Sequence, residues 1–432
     1  MQRYVLSELD SGERLISEQV TSVRSVALGF WIGAGSRDEP PARGGVTHFI
    51  EHLLFKGTQS YDALEIAEIF DGLGGELNAA TSREHTVVYA RVPDHHLETA
   101  LDVMADMVVT PRFAELETER EVVLEEIAMV EDAPQELVHD LLAEAIFSGH
   151  ALGRPVIGTA EVISSISRRA IASYHRSAYV AGNIVLAAAG NLEHERLQAL
   201  LHRAAMKRPD RPPAKLRVRP TLVKEPPPGI RFQRKDTEQY HVCVGAPGIA
   251  RSDRRRFAAS LLDAILGGSA SSRLFQEIRE KRGMAYSVYT FASQYTDTGQ
   301  VGIYIGTREE NLAACLEIAA AEIADVAAGN LRARELERAK ENLKGRIMLS
   351  MESTSNRMSR LGKSLITDSE LLSLERIIAE IDGVDASAVA ELASLLLASE
   401  RLSAAGIGPD EDLFRRAVEH VNPGLPARAA AA

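Results

Sequence analysis

The stretch "THFIEHLLFKGT", Thr47–Thr58, sets two histidines and a glutamate within five residues of an otherwise apolar run. At about 100° per residue, Val46, Phe49, Ile50, Leu53 and Leu54 fall on one face, the i, i+3, i+4, i+7, i+8 stripe of a helix that packs against a core. His48, Glu51 and His52 fall on the other face, and Gly57 ends the helix. His48 and His52 are one turn apart, so their imidazoles point the same way, with Glu51 beside them. A lone histidine there is ordinary solvated surface. The full H-x-x-E-H pattern is the inverted form of a zinc motif, two nitrogen ligands plus a carboxylate able to act as base. A catalytic zinc takes a third protein ligand and leaves its fourth position to water.

The segment "LETEREVVLEEIAMVED", Leu116–Asp132, offers that third ligand. On a helix, Glu117, Glu121 and Glu125 share a solvent face, while Glu119 and Glu126 fall among Val122, Val123 and Val130 on the apolar side. A carboxylate there is costly without a partner. The partner is either a metal, with Glu126 as ligand and Glu119 two turns earlier supporting it, or an Arg or Lys across the interface.

Farther out, "KRPDRPPAKLRVRPTLVKEPPPGI", Lys207–Ile230, holds seven prolines, a density that blocks helix and central strand alike. It divides 432 residues into nearly equal halves, and the halves repeat one order of elements. "EHTVVYARV" (84–92) matches "GQVGIYIGT" (299–307), both alternating like strands. Each is followed by an apolar-periodic helix and then a glutamate-rich one. "NIVLAAAGNL" (183–192) matches "RLSAAGIG" (401–408). The pattern predicts a duplicated α+β fold: residues 1–209 as a metal-binding domain, 210–230 as linker, 231–422 as a homologous second domain, and 423–432 as a disordered tail. Aligning Gly268 with Gly57 sets Leu262 opposite Glu51 and Asp263 opposite His52, so the second half lacks the metal motif.

These segments resemble the pitrilysin/insulinase-type zinc metallopeptidases, in particular the short-chain group that includes the mitochondrial processing peptidase β-subunit and its bacterial relatives. The resemblance is carried by "HFIEHLLFKGT", "GGELNAATSREHTVVYA", "TEREVVLEEI", "GRPVIGT" and "RLFQEIREKRGMAYSVYTF". It implies a clamshell of two homologous domains, each a mainly antiparallel sheet packed with helices. It implies one zinc ion per chain on His48, His52 and Glu126, zinc-bound water as nucleophile, Glu51 as general base and Glu119 as a second glutamate needed for activity. Asn78 and Ala79 are expected on a strand edge that receives an extended peptide, with Phe55 also contacting substrate. Arg279 and Tyr286 are expected to reach the peptide from the second half, and the chain to form a homodimer or to join a homologous partner chain.

Two other readings use the same residues. One is a non-catalytic scaffold subunit of the same fold. The other is a hydrolase using a serine of "GGSASSRLF" (267–275), although the G-x-S-x-G elbow is missing there. Bulk composition narrows the field further. Apolar residues make up 45% and charged residues 25%, as in soluble globular proteins. A net charge of −12 argues against nucleic acid or an anionic membrane as principal partner. Two cysteines, Cys243 and Cys315, exclude a cysteine-rich zinc site and suggest small core residues. The N-terminus lacks a signal-peptide pattern and no run reaches the roughly 18 apolar residues of a membrane span, so a cytoplasmic location is expected.

Overall fold

The computed structural model describes residues 4–205, 221–222 and 224–430; most of the expected linker lies outside them. Two sheets organise the chain. The first comprises β1 (Tyr4–Glu8), β2 (Arg14–Gln19), β3 (Ser25–Ile32), β4 (Glu76–Thr81), β5 (Thr86–Pro93) and β6 (Ile184–Gly190). The second comprises β7 (Ile230–Arg234), β8 (Tyr240–Gly248), β9 (Ala285–Gln294), β10 (Gly299–Thr307) and β11 (Ser403–Gly408). Their orders are β1-β2-β6-β3-β5-β4 and β7-β11-β8-β10-β9. From β2 and β7 onward the two correspond strand for strand. In each, one pair is parallel, β2 with β6 and β7 with β11, and every other pair is antiparallel. This shared order is the internal duplication expected from the sequence; β1 is an addition without a counterpart.

Both sheets are buried on two faces, which is why β6 and β11 read as unbroken apolar runs. In the first sheet, Val26, Leu28, Phe30, Val88, Leu186 and Ala188 point into the core that also takes the motif helix. Their neighbours at period two, Ala27, Trp31, Val87, Val185 and Ala187, point to the opposite side. There they meet Met358 and Leu361 of the helix Thr354–Ile366. In the second sheet, Cys243, Tyr304, Ala405 and Ile407 meet Val138, Leu142 and Ile146 of the helix Pro134–Ile146.

These two covering helices come from the opposite halves of the sequence. One compact unit gathers Met1–Ala128, Pro155–Pro220 and Met348–Ser373; the other gathers Met129–Arg154, Thr221–Ile347 and Leu374–Ala432. The contiguous domains expected at 1–209 and 231–422 therefore give way to units that exchange a helix. Amphipathic periodicity reveals that a helix has an apolar face, not which sheet that face covers. The expected disordered tail also needs correction. Residues Leu425–Ala430 form a short helix, and Leu425 is fully buried in the second unit's core. Cys243 and Cys315 are free and buried, as expected. Among the described residues, no helix is long and apolar enough to cross a membrane.

Candidate metal centre

The motif helix runs Val46–Leu54. Val46, Phe49, Ile50, Leu53 and Leu54 are all fully buried. At about 1.5–3 kcal/mol for each large apolar side chain taken out of water, this stripe alone fixes which face the helix turns inward. Its N-cap, Gly45, has φ +90°, and a Cβ there would lie 2.6 Å from Ile157 O. Gly158, at φ +84°, approaches Gly44 O as closely, at 2.5 Å from its own notional Cβ. The "GRPVIGT" segment thus packs backbone to backbone against the helix start, a contact open only to glycine.

The second contributor is the helix Leu116–Asp132. Its buried face centres on Arg120, Val123 and Ile127, rotated from the face expected around Val122 and Val130; Val122 is 45% exposed. Glu119 is buried as expected, and Glu126 stands at the margin with 41% of its side chain exposed.

The three expected ligands converge. Glu126 Oε2 lies 3.6 Å from His48 Nε2 and 3.3 Å from His52 Nε2, yet that oxygen is buried and has no hydrogen bond of good geometry among the described residues. One ligand atom from each of the three residues falls within 4.8 Å of the others, the sole such group among the described residues. Burial lowers the His48 pKa to about 4, Glu126 opposing and His52 adding to the shift. His48 is therefore a neutral imidazole, the form that ligates metal. For His52 burial acts downward, but Glu126 and Glu119 outweigh it and the net shift is upward. Neighbouring His52 holds Glu126 below its ordinary value against the effect of burial. Two imidazole nitrogens and an orphaned carboxylate oxygen facing one point are a donor set that fits a zinc ion.

Glu51 lies beside this group and outside it. Burial raises its pKa, and a short hydrogen bond donated by Thr81 Oγ1 partly offsets the rise. Glu119 has a partner for each oxygen: its Oε2 faces His52 Nδ1 at 3.3 Å, and its Oε1 pairs with Lys56 Nζ at 2.8 Å. Phe55 follows the motif helix, half-buried. Asn78 and Ala79 lie on β4, the outermost strand of the first sheet, and Asn78 Oδ1 accepts the Ala79 N–H at 2.8 Å.

Arg279 and Tyr286 belong to the second unit. Arg279 lies near the end of a helical segment, a π-helix over Phe275–Glu280, and Tyr286 near the start of β9. The Arg279 guanidinium stacks 4.5 Å from the Tyr286 ring and donates to Tyr286 O at 3.1 Å. Tyr286 is 75% exposed, a large cost in unburied aromatic surface. Leu262 is buried in the second unit's helix Arg256–Leu266. Thr81, Lys56 and Glu39 escaped the sequence reading; none carries a local signal, since each meets its partner only through the fold.

The insulinase family (peptidase family M16) matches residues 14–160, and the inactive domain of peptidase M16 matches residues 165–343. An uncharacterized zinc protease of Streptomyces coelicolor is 42% identical over 411 residues, covering 94% of this chain and 89% of that one. This chain belongs to the M16 insulinase family. The uncharacterized zinc protease YmxG of Bacillus subtilis is 39% identical over 402 residues, covering 90% and 95%. Among solved structures, a protease from Helicobacter pylori superposes with a TM-score of 0.88 at 20% identity, covering 94% of this chain and all of that one. A Pseudomonas fluorescens protein described as a peptidase M16 inactive domain gives 0.86 at 24%, covering 94% and 98%. These two likenesses show the M16 fold. The second match carries the inactive label, and the candidate metal group His48, His52 and Glu126 belongs to the first unit.

Proposed function

We propose that this M16 chain is a zinc-dependent endopeptidase acting on extended peptides or unfolded segments, with one zinc ion held by His48, His52 and Glu126. The observation that carries the reading is the orphaned Glu126 Oε2 facing both Nε2 atoms; relatives named zinc proteases support it. A zinc ion bound there supplies a Lewis acid that acidifies water and polarises a carbonyl. Glu51 takes the proton from the attacking water and returns it to the leaving amine. Its raised pKa suits both directions, and Thr81 holds the carboxylate in place. Lys56 neutralises Glu119, which leaves Glu119 free to orient the His52 ring.

The peptide adds as a strand along the open edge of β4, at Asn78 and Ala79, where backbone hydrogen bonds give affinity with little sequence preference. Phe55 contacts its side chains, and Arg279 and Tyr286 touch it as well. The reading includes a homodimer and a cytoplasmic site of action. The deciding experiment is cleavage of a peptide library by purified protein, with product termini read by mass spectrometry. Chelator should abolish cleavage and added zinc restore it; full activity in metal-free protein would refute the proposal.

A further inference from the structure

The two histidines are not held alike. His52 Nδ1 faces Glu119 Oε2 at 3.3 Å, the kind of outer partner that fixes the rotation of a ligating imidazole. His48 Nδ1 is buried and has no hydrogen-bond partner among the described residues. With no group on its far nitrogen, the His48 ring takes its aim from the backbone that carries it.

That backbone is the first turn of the motif helix, and it is pinned from outside. The side chain of the N-cap, Gly45, offers nothing. Instead Glu39, 5% exposed, reaches in from the preceding loop. Its Oε2 accepts the Gly45 N–H and its Oε1 the Thr47 N–H, each at 2.7 Å. These are charge-assisted bonds to the positive end of a helix, and they bracket Val46, the second of them falling on Thr47, the residue just before His48. Thr47 Oγ1 also donates to Tyr174 OH at 3.1 Å. The loop bearing Glu39 is in turn tied to the turn after β4: Arg37 N–H donates to Arg83 O at 2.9 Å, and the buried Arg37 guanidinium pairs with Glu84 at 2.8 Å. That turn follows Thr81, which holds Glu51. A single stitched segment therefore sets the position of His48 and of Glu51.

We infer that Glu39 is a positioning residue for metal binding, which locks the first turn of the motif helix and so replaces the outer partner that His48 lacks. The inference rests on the zinc reading above. The helix does not need Glu39 to form, because five fully buried side chains already hold it in the core. What Glu39 supplies is the register of its first turn.

The test is a zinc competition titration against a chromophoric chelator, run on wild type, Glu39→Gln, Tyr174→Phe and His52→Ala. Glutamine offers one acceptor oxygen where two N–H groups need one each. Zinc affinity of Glu39→Gln should fall about 10- to 100-fold, the range for outer partners of metal ligands. The visible absorption of its cobalt(II) form should change while the metal-free protein stays folded by circular dichroism. Tyr174→Phe, which loosens the same turn at a different pin, should shift affinity in the same direction by a smaller factor. A folded Glu39→Gln protein with wild-type affinity and an unchanged cobalt spectrum would overturn the positioning role and leave the zinc reading intact. Should Glu39→Gln not fold, Tyr174→Phe decides, and unchanged affinity and spectrum there would overturn it equally. Wild type that binds zinc no better than His52→Ala would remove the zinc reading, and this inference with it.

Discussion

At the scale of single residues, the roles of Glu51 and Glu119 separate in a paired measurement. Glu51 lies outside the converging ligand atoms, so Glu51→Gln should keep its zinc by metal analysis and lose about 10²- to 10⁴-fold in turnover, the share of a general base. Glu119→Gln keeps the ring contact but loses the charge that Lys56 and His52 share, so its first loss should be in zinc affinity. An emptied site in Glu51→Gln would reverse the assignment. Tyr286→Phe should lower turnover by up to about 10²- to 10³-fold if the hydroxyl donates to the developing oxyanion, with zinc content unchanged. The motif was legible because its three groups lie within one turn and a half of helix. Glu119 and Glu126 were legible as carboxylates on the wrong side of a helix, although the wheel was rotated enough to misplace Val122. Thr81, 30 residues from Glu51, gave no sign, because strand pairing alone brings it there.

At the scale of elements, every strand read from alternation or from an apolar run is present in the fold. Helix destinations were not readable. The helix Thr354–Ile366 lays Met358 and Leu361 on the Trp31 side of the first sheet, and Trp31 Nε1 donates to Met358 Sδ at 3.4 Å. Leu361 is fully buried, so Leu361→Ala should cost about 2–5 kcal/mol, read as a drop in urea midpoint. The helix Pro134–Ile146 brings a pH dependence. His139 Nε2 bonds Tyr289 OH at 2.9 Å and its ring stacks on Tyr304; burial lowers its pKa below 6.5. Burial lowers His241, bonded to Tyr304 OH at 2.8 Å, in the same way. Between the depressed folded value and 6.5, the unfolded chain binds more protons than the folded one. Stability from these groups is thus complete above that ordinary value and is lost as pH falls through the folded value. Urea melts at about pH 7.5 and about pH 5.5 should show a shallower loss for His139→Gln than for wild type; an identical slope would exclude His139 as a source.

At the scale of the whole molecule, duplication was legible in the repeated order of elements, and the reciprocal exchange of covering helices was not, since it depends on pairing between distant segments. A fragment of residues 1–209 would leave Ile16, Ala27, Trp31, Val87 and Val185 without the side chains that cover them. Such a fragment should aggregate or melt far below the full chain, and adding residues 221–432 in trans should restore zinc binding. A specific protease site inserted after Pro209 should, once cut, yield two pieces that co-elute under native conditions and part only in denaturant. The exchange also sets a timetable for synthesis. The half that carries His48, Glu51 and His52 is translated first, yet its sheet waits for Met358 and Leu361, which leave the ribosome only when most of the chain has been made. Until then the nascent protein presents a naked apolar face around Trp31 to the cell's chaperones and proteases, so a message truncated anywhere before the codon for Ile366 should produce a polypeptide that is cleared instead of a partly active peptidase.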